Sequence, residues 1–241
     1  MNLTLFYRLL LAFLIADYPL QTDGVFRVRY EKRWGVFLHA GIHLVVTLAL
    51  CLPYLHSPWF ILAVLLLQIG HAYFDKVKKS GVWGFVLDQF THFASLALIA
   101  IIFANLRPND WLTGTPADLW HDDYLINLLS GMLLATYVTM ILVNFINRSL
   151  RKRFTRDVFS TYYRYSMVFC GLVVYACVVP AVQLHPFFLA PAVLPPIALA
   201  FIARRNGDDD GSFNGAYPAD YLLSLLFAGI WAVLVGLKLY P

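Results

Sequence analysis

The chain of 241 residues carries too little charge for a water-soluble protein of its size. Hydrophobic residues make up 60% of it and charged residues only 13%, whereas soluble domains carry about 25% charged residues. The net charge of +4 is divided among short blocks between apolar runs, which argues against a nucleic-acid partner, because that would need a continuous basic face. The composition predicts an all-α, polytopic membrane protein.

Eight apolar segments qualify as candidate membrane spans, since a helix needs roughly 20 apolar residues to cross the hydrocarbon core. In chain order they are residues 3–20, 34–55, 58–75, 82–106, 124–147, 164–184, 186–203 and 219–240. The first is the weakest, because Arg8 lies inside it and Pro19 near its end, so it is either a span or a re-entrant or interfacial segment. The sequence predicts a transmembrane bundle of seven to eight helices.

The loops between these segments alternate in charge. The first, third, fifth and seventh loops are rich in lysine and arginine, the second and sixth have neither, and the fourth has Arg107 alone. Under the positive-inside rule the odd-numbered loops face the cytoplasm. We therefore expect both termini on the extracytoplasmic side.

Three of the predicted helices each carry two metal-ligand side chains four residues apart. The pairs are His39 and His43, His71 and Asp75, and Asp88 and His92. Residues at i and i+4 lie on the same face of a helix, so each pair points one way. Counted at 1.5 Å per residue from the cytoplasmic helix ends, five of these residues lie roughly 6–15 Å deep and Asp75 lies at its helix end, so all three pairs fall in the cytoplasmic leaflet. The first segment brings Asp17 and Asp23 to the same rim.

Burying these groups singly would be costly, because an aspartate at a helix centre costs about 2.5–3.5 kcal/mol on insertion scales. A divalent metal, with zinc expected, would compensate several at once, and the number of ligands suits one or two ions. The predicted ligands are His39, His43, His71, Asp75, Asp88 and His92. The predicted general base is Asp17 or Asp23, at the rim of the site. The alternatives are a metal-free polar or proton-relay network, or helix packing alone.

Four stretches around these pairs are distinctive in combination. They are Leu11–Asp23 (LAFLIADYPLQTD), Leu38–His43 (LHAGIH), Gly70–Asp75 (GHAYFD) and Leu87–His92 (LDQFTH). Together they resemble the bacterial membrane family known as domain of unknown function 3307, over about residues 5–105. The resemblance implies a multi-pass protein of the bacterial inner membrane with no assigned activity. A looser likeness to YdjM-type inner-membrane metal-dependent hydrolases implies that the same six paired residues are metal ligands.

The polar residues of the predicted helices are concentrated before residue 107. We therefore divide the chain into residues 1–106, a four-helix half with the His/Asp cluster, and residues 107–241, a four-helix half of unknown role. The first hypothesis is a metal-dependent hydrolase that acts on a lipid or lipid-linked substrate at the cytoplasmic leaflet, with membrane lipids as partners. The second is a divalent-cation transporter, which is disfavoured because the ligands lie in one leaflet and not at the midplane. The third is a non-catalytic membrane assembly protein.

Overall fold

The computed structural model describes residues 1–32, 34–77, 82–109, 122–151, 161–205 and 218–238. Regular secondary structure in these ranges is entirely helical, which confirms the predicted all-α class. The chain divides into two compact units, Met1–Ser130 and Gly131–Pro241. The predicted division of roles at residue 107 stays a prediction.

The helices of the first unit are α1 (Leu3–Asp17), α2 (Asp23–Glu31), α3 (Gly35–Leu50), α4 (Pro58–Val77) and α5 (Val82–Ile102). A 3-10 turn, Leu52–Tyr54, joins α3 to α4. Helix α6 (Asp123–Leu133) crosses the boundary between the units. The second unit continues with a π-helical turn (Leu134–Val138), α7 (Thr139–Arg151), α8 (Thr161–Gln183), a 3-10 turn (Pro186–Leu189), α9 (Ala190–Arg205) and α10 (Pro218–Lys238).

Five helices in the described part of the chain are long and apolar enough to cross a membrane. They are Pro58–Val77, Trp83–Ile102, Asp123–Ile146, Arg164–Gln183 and Ala219–Leu237, and two shorter apolar helices are Gly35–Leu50 and Pro186–Ile202. Large apolar side chains such as Ile69 and Leu87 point outward from these helices, as expected where lipid is the solvent. The polytopic helical bundle is confirmed, but fewer helices meet the length of a full span than the seven or eight predicted.

Helix α1 is the buried centre of the first unit, where it packs against α3 and α5. Its 15 residues rise about 22 Å, which is less than the roughly 30 Å hydrocarbon core. Arg8 is buried within it and donates a hydrogen bond to the Leu50 carbonyl at 3.3 Å. That carbonyl belongs to the last residue of α3, where helix carbonyls lack intrahelical partners and attract cations. The first segment is thus a protein-buried helix shorter than a full span.

The connection between α1 and α3, predicted as a basic loop, contains helix α2. Thr22 caps this helix, since its side-chain oxygen accepts a hydrogen bond from the Val25 N–H at 3.4 Å. Helix α2 packs on α3 at Gly35, where a Cβ would overlap the carbonyl group of Val28. The absence of a side chain at position 35 therefore permits a close approach that brings Arg29 into the interior of the unit.

A π-helical turn shapes the second unit. The Thr139 hydroxyl donates to the Leu134 carbonyl, five residues earlier, at 3.0 Å. Helix α8 meets this turn at Gly171, where a Cβ would overlap the carbonyl oxygen of Ala135. Helix α10 then packs against α7, α8 and α9. Gly171 is therefore the residue that lets α8 approach the widened turn.

Candidate metal centre

Three helices of the first unit bring polar side chains to one buried place. Helix α1 ends with Asp17, α3 carries His39 and His43 one turn apart, and α4 carries His71. One donor atom from each of these four residues lies within 4.8 Å of the others. The three histidines are almost fully buried. Among the residues that the structure describes, these four form the one group of three or more His, Cys, Asp or Glu side chains that is close enough together to hold a metal ion.

The position of Asp17 is set by the end of α1. Pro19 follows two residues later and disfavours continued helix, because a proline restricts the residue before it and has no N–H to donate. The Tyr18 N–H still bonds to the Leu14 carbonyl at 3.2 Å. The Tyr18 hydroxyl donates to the side-chain oxygen of Gln89 on α5 at 2.8 Å, which fixes this end of α1 in the bundle.

The imidazole rings of the cluster are in contact with one another. The ring centres of His43 and His71 are 4.2 Å apart, and those of His39 and His71 are 5.1 Å apart. His92 on α5 continues the row, with its ring centre 4.5 Å from that of His71. Phe13 on α1 lies 4.9 Å from the His92 ring and 5.8 Å from the His43 ring, which gives the cluster an apolar wall.

Two carboxylates approach the histidine nitrogens. Asp17 Oδ1 lies 3.3 Å from His39 Nε2 and 3.7 Å from His43 Nε2. Asp75 Oδ2 lies 3.5 Å from His71 Nε2 and 3.7 Å from His39 Nε2. The Nε2 atoms of His43 and His71 are buried, and neither has a hydrogen-bond partner closer than these carboxylates, at 3.7 and 3.5 Å. Because an unsatisfied buried polar atom costs about 1–3 kcal/mol, these two nitrogens are suited to donate lone pairs to a cation.

The spacing of the donor atoms fits a zinc ion after a small contraction. Nitrogen and oxygen ligands at about 2.0–2.1 Å from tetrahedral zinc are roughly 3.3–3.4 Å from each other. The Asp17–His39 separation of 3.3 Å already has that value, and the widest separation in the group is within 4.8 Å. Side-chain movements on the order of 1 Å would close the group around one ion.

The third predicted pair, on α5, borders this group. His92 Nδ1 lies 3.4 Å from His71 Nδ1, and His92 Nε2 lies 3.3 Å from Asp88 Oδ1. The Gln89 side-chain amide donates to Asp88 Oδ2 at 3.4 Å. Helix α5 therefore contacts the cluster at His71 through His92. Its Gln89 side chain also accepts the hydrogen bond from Tyr18 at the end of α1.

Arg29 lies at the cluster, although it is not among the site residues predicted from the sequence. Its guanidinium forms an ion pair with Asp75, and its Nη1 atom lies 3.2 Å from His39 Nε2. Both partners of the ion pair are buried, with side-chain exposures of 7% and 1%. Two features of the sequence could have indicated Arg29. Thr22 is a good N-cap and predicts a helix that would contain Arg29. The excess of carboxylates expected inside the bundle also requires a compensating cation.

Three of the six predicted ligands lie together with Asp17, and the other three border the group. The first three are His39, His43 and His71, and the bordering residues are Asp75, Asp88 and His92. Asp17, predicted as a general base, is itself among the donor atoms. The side chain of Asp23 lies outside the described residues, so its predicted role stays a prediction.

Residues 5–119 match the family described as protein of unknown function (DUF3307). No curated protein and no solved structure matches the chain significantly. The matched region includes the whole cluster, from the end of α1 through α5. The match confirms the resemblance predicted for about residues 5–105. Over its amino-terminal region, the chain is therefore similar to the DUF3307 family of proteins of unknown function.

Proposed function

We propose that the first unit is the metal centre of a membrane hydrolase, in which His39, His43 and His71 bind one divalent ion, with zinc the ion expected. The observation that carries this proposal is the pair of buried Nε2 atoms, on His43 and His71, that have no partner closer than a carboxylate at 3.5–3.7 Å inside a group of four donor residues. Three protein ligands and one open position for water are typical of catalytic zinc sites.

Asp17 is the fourth donor of the group, and we propose that it acts as general base and leaves the fourth zinc position to water. Its Oδ1 atom is 3.3 Å from His39 Nε2 and 3.7 Å from His43 Nε2, so a water bound beside these nitrogens would be within its hydrogen-bonding reach. A zinc ion supplies an acidified water, with a pKa near 7, and polarises a carbonyl or phosphoryl oxygen. Asp75 lies next to the Nε2 atoms of His39 and His71 that would bind the ion, so its negative charge would help to neutralise the bound cation.

The proposed substrate is a lipid or lipid-linked molecule at the cytoplasmic leaflet of the bacterial inner membrane. His39 lies four residues from the start of α3 and His71 six residues from the end of α4, which is roughly 6–9 Å from one end of the helix pair. Lys32 lies near the start of α3 and Lys76 near the end of α4, and such basic residues attract anionic head groups. A reaction at this depth suits a substrate that is already in the bilayer.

Hydrolysis is tested with the full chain in vesicles of phosphatidylglycerol and phosphatidylethanolamine, with and without added zinc. Products are identified by mass spectrometry, and the His71→Ala variant is compared with His185→Ala, a change in the second unit. We expect zinc-dependent products from the wild type and from His185→Ala, and none from His71→Ala. Zinc binding without any product in all three would remove hydrolysis of these lipids from the proposal.

A divalent-cation transporter is the second candidate, because buried polar groups continue beyond the cluster. The Gln68 amide donates to the Thr47 hydroxyl at 3.5 Å, and Arg8 donates to the Leu50 carbonyl at 3.3 Å. These contacts lie farther along α3 and α4 than the histidines, toward the opposite ends of the two helices. Zinc uptake into vesicles that contain the full chain would favour transport, whereas zinc-dependent lipid products without uptake would favour the hydrolase.

A further inference from the structure

A groove of about 380 Å³ runs between α3 and α4 on a face that does not carry the histidines. Its lining on α3 is Phe37, Ala40, Gly41 and Leu44. On α4 the lining is Leu65, Gln68, Ile69, Ala72, Tyr73 and Lys76. Both sets follow the i, i+3, i+4 spacing of a single helical face, about a third of a turn away from the metal-ligand face. The groove is therefore a separate site from the His/Asp cluster.

The groove is open toward the surroundings of the bundle. A Cβ at Gly41 would meet no atom within 4 Å, so no described side chain fills the space beside this residue. Phe37, Ile69 and Tyr73 are each more than 60% exposed along its sides. An apolar concavity of this size is within the usual range for a small-molecule site, and here it lies on a helix that can cross a membrane. An acyl chain is the ligand that these surroundings supply.

The length and the charge of the groove indicate which lipid it suits. Residues 65–76 of α4 rise about 16 Å, close to half of the roughly 30 Å hydrocarbon core, so the groove is about as long as one leaflet is thick. Lys76 lies at one end, one residue before α4 ends, and its Nζ atom is 5.0 Å from the centre of the Phe37 ring. A basic residue at this position is placed to contact a lipid phosphate.

We infer that this groove binds an anionic phospholipid, with one acyl chain lying between α3 and α4 and the phosphate next to Lys76. The inference is independent of the proposed metal chemistry, because the groove and the cluster use different faces of the two helices. It adds a lipid-binding site to the first unit.

Photocrosslinking tests this inference on the full chain in phosphatidylcholine vesicles that contain a small fraction of phosphatidylglycerol with a diazirine on its acyl chain. We expect labelled peptides to cluster at residues 40–44 and 65–73. Gly41→Leu should reduce this labelling about tenfold, which corresponds to the displacement of about two methylene groups. Gly70→Leu is the matched control, because a Cβ there also meets no atom within 4 Å while Gly70 does not line the groove.

The head-group part of the inference is tested with Lys76→Gln. Unlabelled phosphatidylglycerol should compete better than phosphatidylcholine for the wild-type groove. In Lys76→Gln the ratio between the two competitor affinities should fall about fivefold. Equal labelling of Gly41→Leu and Gly70→Leu, or labelling spread evenly over apolar faces such as that of α5, would overturn the site. An unchanged preference in Lys76→Gln would overturn the assignment of an anionic lipid. Zinc content should be the same in all of these variants, since none changes the cluster.

Discussion

Arg29→Met is expected to destabilise the first unit and, at the same time, to raise its affinity for zinc. The guanidinium is paired with Asp75, and both side chains are more than nine-tenths buried. Removing one partner of a buried ion pair costs about 3–5 kcal/mol of the free energy of unfolding, because the remaining charge stays buried. Methionine replaces most of the apolar stem of the arginine, so the change removes mainly the charge.

The gain in zinc affinity follows from the repulsion between two cations. Arg29 Nη1 lies 3.2 Å from His39 Nε2, and a zinc ion bound to that nitrogen would lie about 2 Å from it, so the two cations would be no more than about 5 Å apart. The neighbouring Asp17 carboxylate reduces the net charge of the zinc site from two units to about one, and two unit charges at that distance repel by about 3 kcal/mol at an effective dielectric constant of about 20. Arg29→Met should therefore bind zinc about a hundredfold more tightly than the wild type.

Chelator competition measures the zinc affinity, and thermal unfolding in detergent with and without zinc measures the stability. Zinc at about a hundred times its dissociation constant adds about 2.7 kcal/mol, which would restore much of the stability lost in Arg29→Met. Arg29→Lys is the control, because it keeps the positive charge and should keep nearly the wild-type zinc affinity. A zinc affinity for Arg29→Met equal to or below that of the wild type would refute the proposed position of the ion.

Three further changes test the proposed base and two close helix contacts. Asp17→Asn should abolish zinc-dependent hydrolysis while lowering zinc affinity only about tenfold to a hundredfold, because the histidines remain. Gly35→Ala should displace α2 from α3 and cost about 1–3 kcal/mol in thermal unfolding, whereas Gly24→Ala, which meets only an ordinary contact, should change stability by about 1 kcal/mol or less. In the second unit, Gly171→Ala should be similarly destabilising and Gly229→Ala should not, since only the first would introduce a Cβ into the π-helical turn.

Each of these changes has an outcome that would contradict its reasoning. Hydrolysis that survives in Asp17→Asn would assign the proton transfer to another group. Equal stability of Gly35→Ala and Gly24→Ala would mean that α2 does not depend on close packing against α3. The same result for the second pair of variants would mean that the π-helical turn can move away from α8 at little cost.

The helical class could be predicted from the sequence, but the number of full spans could not. Long apolar runs in a chain with so little charge leave a membrane bundle as the consistent solution. Hydropathy does not distinguish an apolar helix surrounded by lipid from one surrounded by protein, and α1 is of the second kind. The charge of Arg8 made this segment the weakest candidate for a membrane span, yet the Leu50 carbonyl at the end of α3 accepts a hydrogen bond from Arg8. Such a partner is a property of the tertiary fold.

The candidate site could be predicted where it depends on spacing within one helix. The four-residue spacing of His39 and His43 places both rings on one face, and the depth of α4 brings His71 beside them. Arg29 could not be placed in the same way, because its position depends on α2 packing against Gly35. The spacing of residues in the sequence carries no information about that approach between helices. Asp17 could be predicted at the rim of the site, but its contacts with His39 and His43 depend on where α1 ends in the bundle.

X-ray absorption at the zinc edge tests whether the His/Asp cluster binds zinc, with the full chain purified without a histidine tag and zinc content measured by elemental analysis. We expect about one zinc per chain, with imidazole nitrogens from His39, His43 and His71 and an oxygen donor at about 2.0–2.1 Å, and loss of this zinc in His71→Ala. The absence of stoichiometric zinc after saturation, or bound zinc that persists unchanged in His71→Ala, would contradict it.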